Sequence, residues 1–300
     1  MKKEIDQYLR YLESTNASEH TLVAYEGDLR QFSVFLVKYF PNGMITLGEI
    51  SRLFIRDFLR WLSDNGRSNR TLARKATTIK RFFFYCIQEG YIEHDPTEHL
   101  KNPKYKKSLP RYFSREEMLT LLRIPDQTSI FGIRNQAVLE LMYSSGLRIN
   151  EVCTLETRSI DFHNRIIKVM GKGQKERMIP FGKICKKALK LYLKIRPKFN
   201  PDAEEQSFFV SKSGIPLLNR ELRAILDRYL KLVAKTSGYS PHSIRHTFAT
   251  HLLENGAELQ GIQEMLGHEN LSTTEQYTHL SLAEVKKVYQ QAHVRSKEKK

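Results

Sequence analysis

Hydrophobic residues recur every three or four positions along most of this chain, which is the spacing of an amphipathic α-helix. The clearest series near the N-terminus comprises Leu22, Tyr25, Leu29, Phe32 and Leu36. Ser18 stands just before this series and has a side chain suited to a helix N-cap. The same spacing predicts helices over 49–64 and 69–89. The first hundred residues are therefore predicted to be helical.

The helical pattern breaks over residues 91–111, "YIEHDPTEHLKNPKYKKSLPR", which contain three prolines. It resumes at "FSREEMLTLL", where Ser114 and Glu117 have the spacing of a capping box at a helix start. The predicted organisation has three parts: an N-terminal helical domain at 1–100, a linker at 101–112 and a C-terminal domain at 113–300.

One section of the second domain has a different period. Residues 165–181, "RIIKVMGKGQKERMIPF", contain two short apolar runs around a Gly-Lys-Gly turn, which predicts a β-hairpin with Lys172 at or near its tip. The run "QSFFV", residues 206–210, is a candidate third strand. The predicted fold class is mainly α, with a small antiparallel β-sheet in the second domain.

The charge balance indicates a polyanionic partner. Lysine and arginine outnumber aspartate and glutamate by 49 to 33, a net charge of +16. Six of the basic residues, and no acidic one, lie in 67–81. Lys75 is one of them, and four arginines share one predicted helical face: Arg67, Arg70, Arg74 and Arg81. Such a face suits binding to the phosphates of a nucleic acid. The alternative is a charged face that contacts only solvent.

The opposite face of that predicted helix is apolar, so one side packs while the other carries charge. Its apolar positions are Leu72, Ala76, Ile79 and Phe83. The linker adds further basic residues, which are Lys101, Lys104, Lys106, Lys107 and Arg111. Two basic domains joined by a basic linker predict a clamp that closes around a DNA duplex.

Several other classes of protein lack support in the sequence. No apolar run approaches the roughly 18 residues of a membrane span, and the alternating charges of the first fourteen residues do not fit a signal peptide. A cytoplasmic location is expected. Cys86, Cys153 and Cys185 lack metal-type spacing and are expected to be reduced and packed. No Walker A loop or aspartate cluster is present, so no metal and no cofactor are expected.

The candidate chemistry begins in "SPHSIRHTFATHLLENG", residues 240–256. Pro241 fits the first position of a helix, and His242 and Arg245 then share one face near its N-terminus. Arg148 follows a predicted tight turn, with Glu151 three residues later. Two arginines suit the two non-bridging oxygens of one phosphodiester, because the guanidinium is planar and permanently charged.

A second candidate segment is "MLGHENLSTTEQYTHL", residues 265–280. Gly267 fits the residue that ends a helix, which places His268 in the following turn. Ser272 and Glu275 then fit the capping box of a short helix that carries Tyr277. A tyrosine packed on the core near a surface histidine is the alternative. Tyr277 as a nucleophile would form a phosphotyrosyl ester that conserves the energy of the phosphodiester bond.

These motifs resemble the tyrosine recombinase family, and within it the Xer branch. The matching stretches are "TLVAYEGDLRQFSVFL", "GLRINEV", "GKGQKERMIP" and "HSIRHTFATHLLENGAELQGIQEMLGHENLSTTEQYTHL". Two departures stand out: Asn150 replaces the serine expected after "GLR", and Gly261 falls inside a predicted helix.

The resemblance implies a role for each matching residue. Arg148, His242, Arg245 and His268 would surround the scissile phosphate. Lys172 would be the general acid, Tyr277 the nucleophile and Glu151 a supporting acid. The N-terminal domain would be the SAM-like domain that binds the core DNA site. The tail would dock on a neighbouring protomer of a homo- or hetero-tetramer on two DNA sites, in dimer resolution prompted by a DNA translocase of the division machinery. A tail helix packed on its own domain is the alternative.

Three alternatives remain open at this point. A metal site is one alternative, because three histidines lie close together in the sequence: His242, His246 and His251. The glutamate of the zinc motif H-E-x-x-H is missing. A non-catalytic architectural DNA-binding protein would also carry a basic face. A mobile-element integrase, or a single-recombinase system in place of a XerC and XerD pair, would share the same catalytic residues.

Overall fold

The computed structural model describes residues 1–40, 45–105, 111–170, 176–202, 204–233, 238–267, 282–294 and 296. The chain divides into two compact units, Met1–Ser108 and Leu109–Lys300.

The described residues of the first unit form four α-helices. They are α1 (Lys2–Ser14), α2 (Glu19–Leu36), α3 (Arg52–Asp64) and α4 (Asn69–Gln88). The Ser18 side chain caps α2 by accepting a hydrogen bond from the backbone of Thr21, as the sequence predicted. The core is rich in aromatic rings, and Phe32 and Phe58 pack with their ring centroids 5.1 Å apart. The predicted apolar face of α4 is buried in this core.

The start of the predicted linker lies along α4. Asn102 donates from Nδ2 to Thr77 Oγ1 at 3.3 Å, and Asn69 donates from Nδ2 to the Lys104 carbonyl at 3.2 Å. Residues 101–105 are therefore part of the first unit.

The second unit contains eight α-helices among its described residues. They are α5 (Arg115–Arg123), α6 (Ile130–Ser145), α7 (Ile149–Cys153), α8 (Lys183–Ile195), α9 (Asn219–Val233), α10 (Pro241–Glu254), α11 (Leu259–Leu266) and α12 (Leu282–Ala292). Helix α6 is buried along most of its length and packs against α8 and α10. Ser114 and Glu117 form the predicted capping box, which begins α5.

A small antiparallel sheet lies in the same unit. Its strands, in spatial order, are β1 (Ile160–Asp161), β2 (Ile166–Met170) and β3 (Glu176–Pro180). Met170 pairs with Glu176 at one end of the β2–β3 ladder, so the predicted hairpin strands are confirmed. Lys172 lies outside the described residues.

The candidate third strand at 206–210 is wrong. This run makes only isolated bridges, of Ser207 with Glu156 and of Val210 with Pro216. Phe208 and Phe209, adjacent in sequence, are both fully buried in the core, so the segment is enclosed on both sides. A short apolar run is consistent with a strand or with a buried irregular segment, because neither has a distinctive period.

The tail helix α12 packs on its own unit. Tyr289 is buried, and its hydroxyl lies 2.6 Å from Ser144 Oγ on α6. Gly261 of α11 faces this helix, since a Cβ added there would lie 3.2 Å from Val288 Cγ1. The glycine that departs from the expected family pattern therefore lets α11 and α12 approach closely.

No helix in the described part of the chain is both long and apolar enough to cross a membrane.

Candidate active site

The turn between α6 and α7 positions the first predicted site residue. Gly146 ends α6 in the left-handed conformation, with φ 64°. A Cβ there would lie 2.5 Å from Phe248 Cδ1, so both the backbone and the available space require glycine. Arg148 follows as the N-cap residue of α7, with its side chain 40% exposed.

Helix α10 positions the second pair of predicted residues. It begins at Pro241, as the sequence predicted. The backbone N–H of the preceding residue, Ser240, donates to Ser243 Oγ. Ile244, Phe248 and Leu252, spaced four residues apart on α10, are fully buried, which fixes the orientation of the helix. His242 is accessible to solvent on the first turn, whereas Arg245 is buried one turn later.

Arg245 joins two chain segments through backbone carbonyls. Its Nη1 donates to the Gly146 carbonyl at 2.7 Å, and its Nη2 donates to the Leu266 carbonyl at 2.6 Å. Burial, and then the nearby positive charge of Arg148, lowers the pKa of Arg245 to about 10. The group is still a cation at pH 7, and it lies between the α6–α7 turn and the end of α11.

The Glu151 carboxylate binds two arginines. Its Oε1 accepts from Arg148 Nη1 at 3.0 Å and from Arg177 Nη2 at 2.9 Å. Its Oε2 accepts from the backbone N–H of Arg148 at 2.8 Å. Arg177 also donates from Nε to the Met265 carbonyl at 3.0 Å, at the end of α11.

Arg177 is a residue of this cluster that the motifs in the sequence did not indicate. A signal was present, because residues two apart in a strand face the same side, and Arg177 shares a face with the core residue Ile179. Across the ladder it pairs with Val169, which is also buried. A charged residue in line with core positions needs a buried partner, and Glu151 is that partner.

His242 lies in a strongly positive environment. Partial burial lowers its pKa, and the positive charges of Arg223, Arg245 and Arg148 lower it further. The imidazole is therefore neutral at pH 7 and keeps one N–H to donate.

The structure thus brings together four of the predicted site residues: Arg148, Glu151, His242 and Arg245. Gly267 ends α11 in the left-handed conformation, as predicted. His268 and Tyr277, like the capping box predicted at Ser272 and Glu275, lie outside the described residues.

The other two histidines of α10 have packing partners. The His246 ring lies edge-on to Tyr112, with centroids 6.0 Å apart. His251 is buried, 2.9 Å from the Tyr143 hydroxyl and 3.0 Å from the Phe113 carbonyl. No group of three or more His, Cys, Asp or Glu side chains suited to a metal ion occurs in the described ranges.

The predicted DNA-binding face of α4 is only partly as expected. Lys75 is 7% exposed, and its Nζ lies 2.6 Å from Asp28 Oδ1. It presents no charge to solvent, so its prediction as a DNA-binding residue is wrong. Arg74 is exposed but also binds Asp28. A helical projection of α4 could not reveal this pairing, because Asp28 lies on α2.

The remaining predicted contacts fall into two groups. Arg67, Arg70 and Lys104 are exposed, as is Arg81, whose Nη1 donates to the Tyr25 hydroxyl at 2.9 Å. Lys106 and Lys107 lie outside the described residues. A second row of basic residues, not predicted above, lies on α3, where a spacing of four residues places side chains on one helical face. That row consists of Arg52, Arg56 and Arg60, which line a cavity with His99 and Lys101.

Comparisons with known proteins cover both units. Residues 111–284 match the phage integrase family, and residues 5–90 match the phage integrase N-terminal SAM-like domain. The chain is 39% identical over 285 residues to tyrosine recombinase XerC of Thermodesulfovibrio yellowstonii, covering 94% of this chain and 92% of that protein. It is 36% identical over 294 residues to tyrosine recombinase XerD of Staphylococcus saprophyticus, covering 97% and 99%.

Solved structures share the fold at lower identity. The Tn1549 transposon integrase in complex with circular intermediate DNA is 20% identical, with a TM-score of 0.71 over 95% of this chain and 98% of that chain. A lambda integrase dimer bound to a COC' core site is 18% identical, with a TM-score of 0.68 over 94% and 99%. The matched segments contain the arginine cluster of α6–α7 and α10, and the chain belongs to the phage integrase family of tyrosine recombinases.

Proposed function

We propose that this chain is a site-specific recombinase that cuts and rejoins DNA strands through a covalent 3′-phosphotyrosyl intermediate and resolves chromosome or plasmid dimers. The observation that carries the proposal is the cluster of Arg148, His242 and Arg245, three cationic or N–H-donating side chains from two different helical junctions. Such a cluster binds an anion of the size of a phosphodiester.

Arg148 and Arg245 hold the non-bridging oxygens of the scissile phosphate. Arg245 is fixed by two carbonyls before DNA binds, so little reorganisation is needed as negative charge develops on phosphorus. Neutral His242 donates a hydrogen bond to the same phosphate, and His268 adds another. The guanidinium charges stabilise the pentacoordinate transition state more than the ground state, because its negative charge is greater.

In the cleavage step the Tyr277 oxygen attacks phosphorus and forms a new P–O bond, while the bond from phosphorus to the 5′-oxygen breaks. The Tyr277 proton passes to solvent, and Lys172 gives a proton to the departing 5′-oxygen, which leaves as a hydroxyl. Solvent then reprotonates Lys172, so one proton is lost and one gained. Attack by a 5′-hydroxyl of the partner strand reverses the chemistry and restores the tyrosine. Because the phosphotyrosyl ester retains the bond energy, rejoining needs no ATP.

The relatives favour dimer resolution over mobile-element integration. The Xer proteins match nearly the whole chain at 36–39% identity. The integrase structures are only 18–20% identical and support the fold alone. Those integrases were solved as DNA complexes, one of them as a dimer. For this chain, double-stranded DNA as partner, assembly as a homo- or hetero-tetramer on two sites, control by a translocase and a cytoplasmic location are further parts of this proposal. XerC and XerD names both occur among the relatives, so the proposal covers both subtypes.

The test is covalent trapping on a nicked duplex. Binding sites are first selected from a random duplex library with the purified chain, so that the substrate carries a preferred site. A nick just beyond the cleavage position lets the short 5′-hydroxyl fragment diffuse away, and a covalent protein–DNA adduct should accumulate on a denaturing gel, with or without EDTA. An architectural DNA-binding protein would bind the same duplex and give no adduct.

Arg67, which precedes α4, and Arg70 on its first turn predict a salt-dependent contribution to binding. Changing Arg67 and Arg70 to Ala should weaken binding and flatten its salt dependence by roughly 0.9 log unit per log unit of salt for each phosphate that is no longer neutralised. Dissociation constants measured from about 50 to 200 mM salt give the slope. Arg74→Ala is a graded comparison, because Asp28 is shared between Arg74 and Lys75 and offsets the Arg74 charge only in part. As one residue rather than two, it should flatten the slope by less. An unchanged slope in the double variant would make this face a solvated one.

A further inference from the structure

Arg177 is the buried cation of the site that the proposed reaction does not use. Its side chain is 10% exposed, as is that of Glu151, and the two groups lie 2.9 Å apart. Glu151 is also bound to Arg148, 3.0 Å away through the same carboxylate oxygen. One carboxylate therefore lies between two guanidinium groups.

The balance of charge in this trio determines what Arg148 offers to a phosphate. With Arg177 in place, the trio carries one net positive charge. Without Arg177, the single negative charge of Glu151 would cancel that of Arg148 and would repel an approaching phosphate. Because Glu151 and Arg177 are shielded from water, this effect is screened less than it would be at the surface.

We propose that Arg177 is a positioning residue that takes up the charge of Glu151, so that Glu151 orients Arg148 while the positive charge of Arg148 remains available to the scissile phosphate. The inference rests on the proposed function of the site. Glu151 supports this role by binding Arg148 twice, at the backbone N–H and at Nη1.

Arg177 has a second set of contacts, which a test must separate from the first. Its Nε donates to the Met265 carbonyl, and its Cδ lies 3.1 Å from where a Cβ on Gly267 would be. Arg177 therefore also supports the end of α11. A purely structural tie of this kind would not depend on the charge of Glu151.

A pair of variants distinguishes the two roles. Arg177→Met should slow single-turnover adduct formation, at saturating protein on the nicked duplex, by roughly 10- to 100-fold, the range of coupling between contacting charged groups. Adding Glu151→Gln to Arg177→Met removes the unbalanced carboxylate and should restore the rate by about fivefold or more. In an Arg148→Ala background, Arg177→Met should cause little further loss, because its effect acts through Arg148.

The control is Arg158→Met, since Arg158 binds Glu156 in an exposed pair of the same unit and should leave the rate unchanged. A wild-type rate for Arg177→Met, or a double variant no faster than Arg177→Met, would overturn the inference. If Arg177→Met does not fold, Arg177→Lys decides, because it keeps the charge but not the guanidinium fork. The inference expects it to stay within about tenfold of wild type, and a greater loss contradicts it. Failure of the proposed function is distinguishable, since the wild type itself would then form no adduct.

Discussion

Tyr277→Phe should abolish the covalent adduct while leaving DNA binding intact. The substitution removes one oxygen, and that oxygen is the atom that attacks phosphorus in the proposed reaction. Binding depends on the basic residues of the chain, which the substitution leaves in place. Adduct formation on the nicked duplex should fall below detection, whereas the dissociation constant for the same duplex should stay within about twofold, because every phosphate-binding cation is retained.

Tyr112→Phe is the matched control, since Tyr112 is an exposed tyrosine of the same unit. It should form the adduct at the wild-type rate. An adduct that survives in Tyr277→Phe would mean that another residue attacks phosphorus, and mapping the modified peptide by mass spectrometry would identify it. Loss of both binding and adduct would instead assign Tyr277 to the fold, the alternative role of this tyrosine.

Local chemistry made several parts of this fold predictable. The helix starts marked by Ser18, Ser114 and Pro241, and the helix end at the left-handed Gly267, each follow from a residue whose side chain or backbone suits that end of a helix. The β2–β3 strands followed from two short apolar runs around a Gly-Lys-Gly turn. In each case the decisive interactions lie within a few residues of one another in the sequence.

The missed features depend on partners that are distant in sequence. Lys75 looks like a surface cation on α4 until Asp28, 47 residues earlier, is brought against it. Arg177 is separated by 26 residues from Glu151 and by 88 from Met265. The periodicity of one element shows which face is buried, but not which charged group on another element neutralises it.

The candidate active site shows the same contrast between features set by neighbouring residues and features set by residues distant in sequence. The spacing of His242 and Arg245 on one helix turn predicted that they share a face, and α10 places His242 accessible and Arg245 buried. That Arg245 would be bound by the carbonyls of Gly146 and Leu266 could not be predicted, because those carbonyls belong to two other helix ends. These contacts hold the buried Arg245 side chain in place for catalysis. The sequence therefore predicts which residues act in the site better than it predicts the contacts that hold them.

Lys172→Ala should slow strand cleavage by about 10² to 10⁴, the usual cost of losing a positioned general acid. An alkoxide is a poor leaving group, so protonation of the 5′-oxygen accelerates its departure. Contact with a backbone phosphate is the alternative role for a lysine near DNA. The two roles differ in how they respond when the leaving atom no longer needs a proton.

Replacing the bridging 5′-oxygen of the nicked duplex by sulfur makes that distinction, because a thiolate departs without being protonated. On this substrate Lys172→Ala should regain most of its lost rate. Arg148→Ala should remain equally slow on both substrates, because it acts on the charge at phosphorus. Arg148 is a better comparison than Arg245, since it is partly exposed, whereas loss of Arg245 would leave two buried carbonyls without their donor. Equal defects of Lys172→Ala on oxygen and sulfur would show that Lys172 binds a phosphate and that the proton comes from another group.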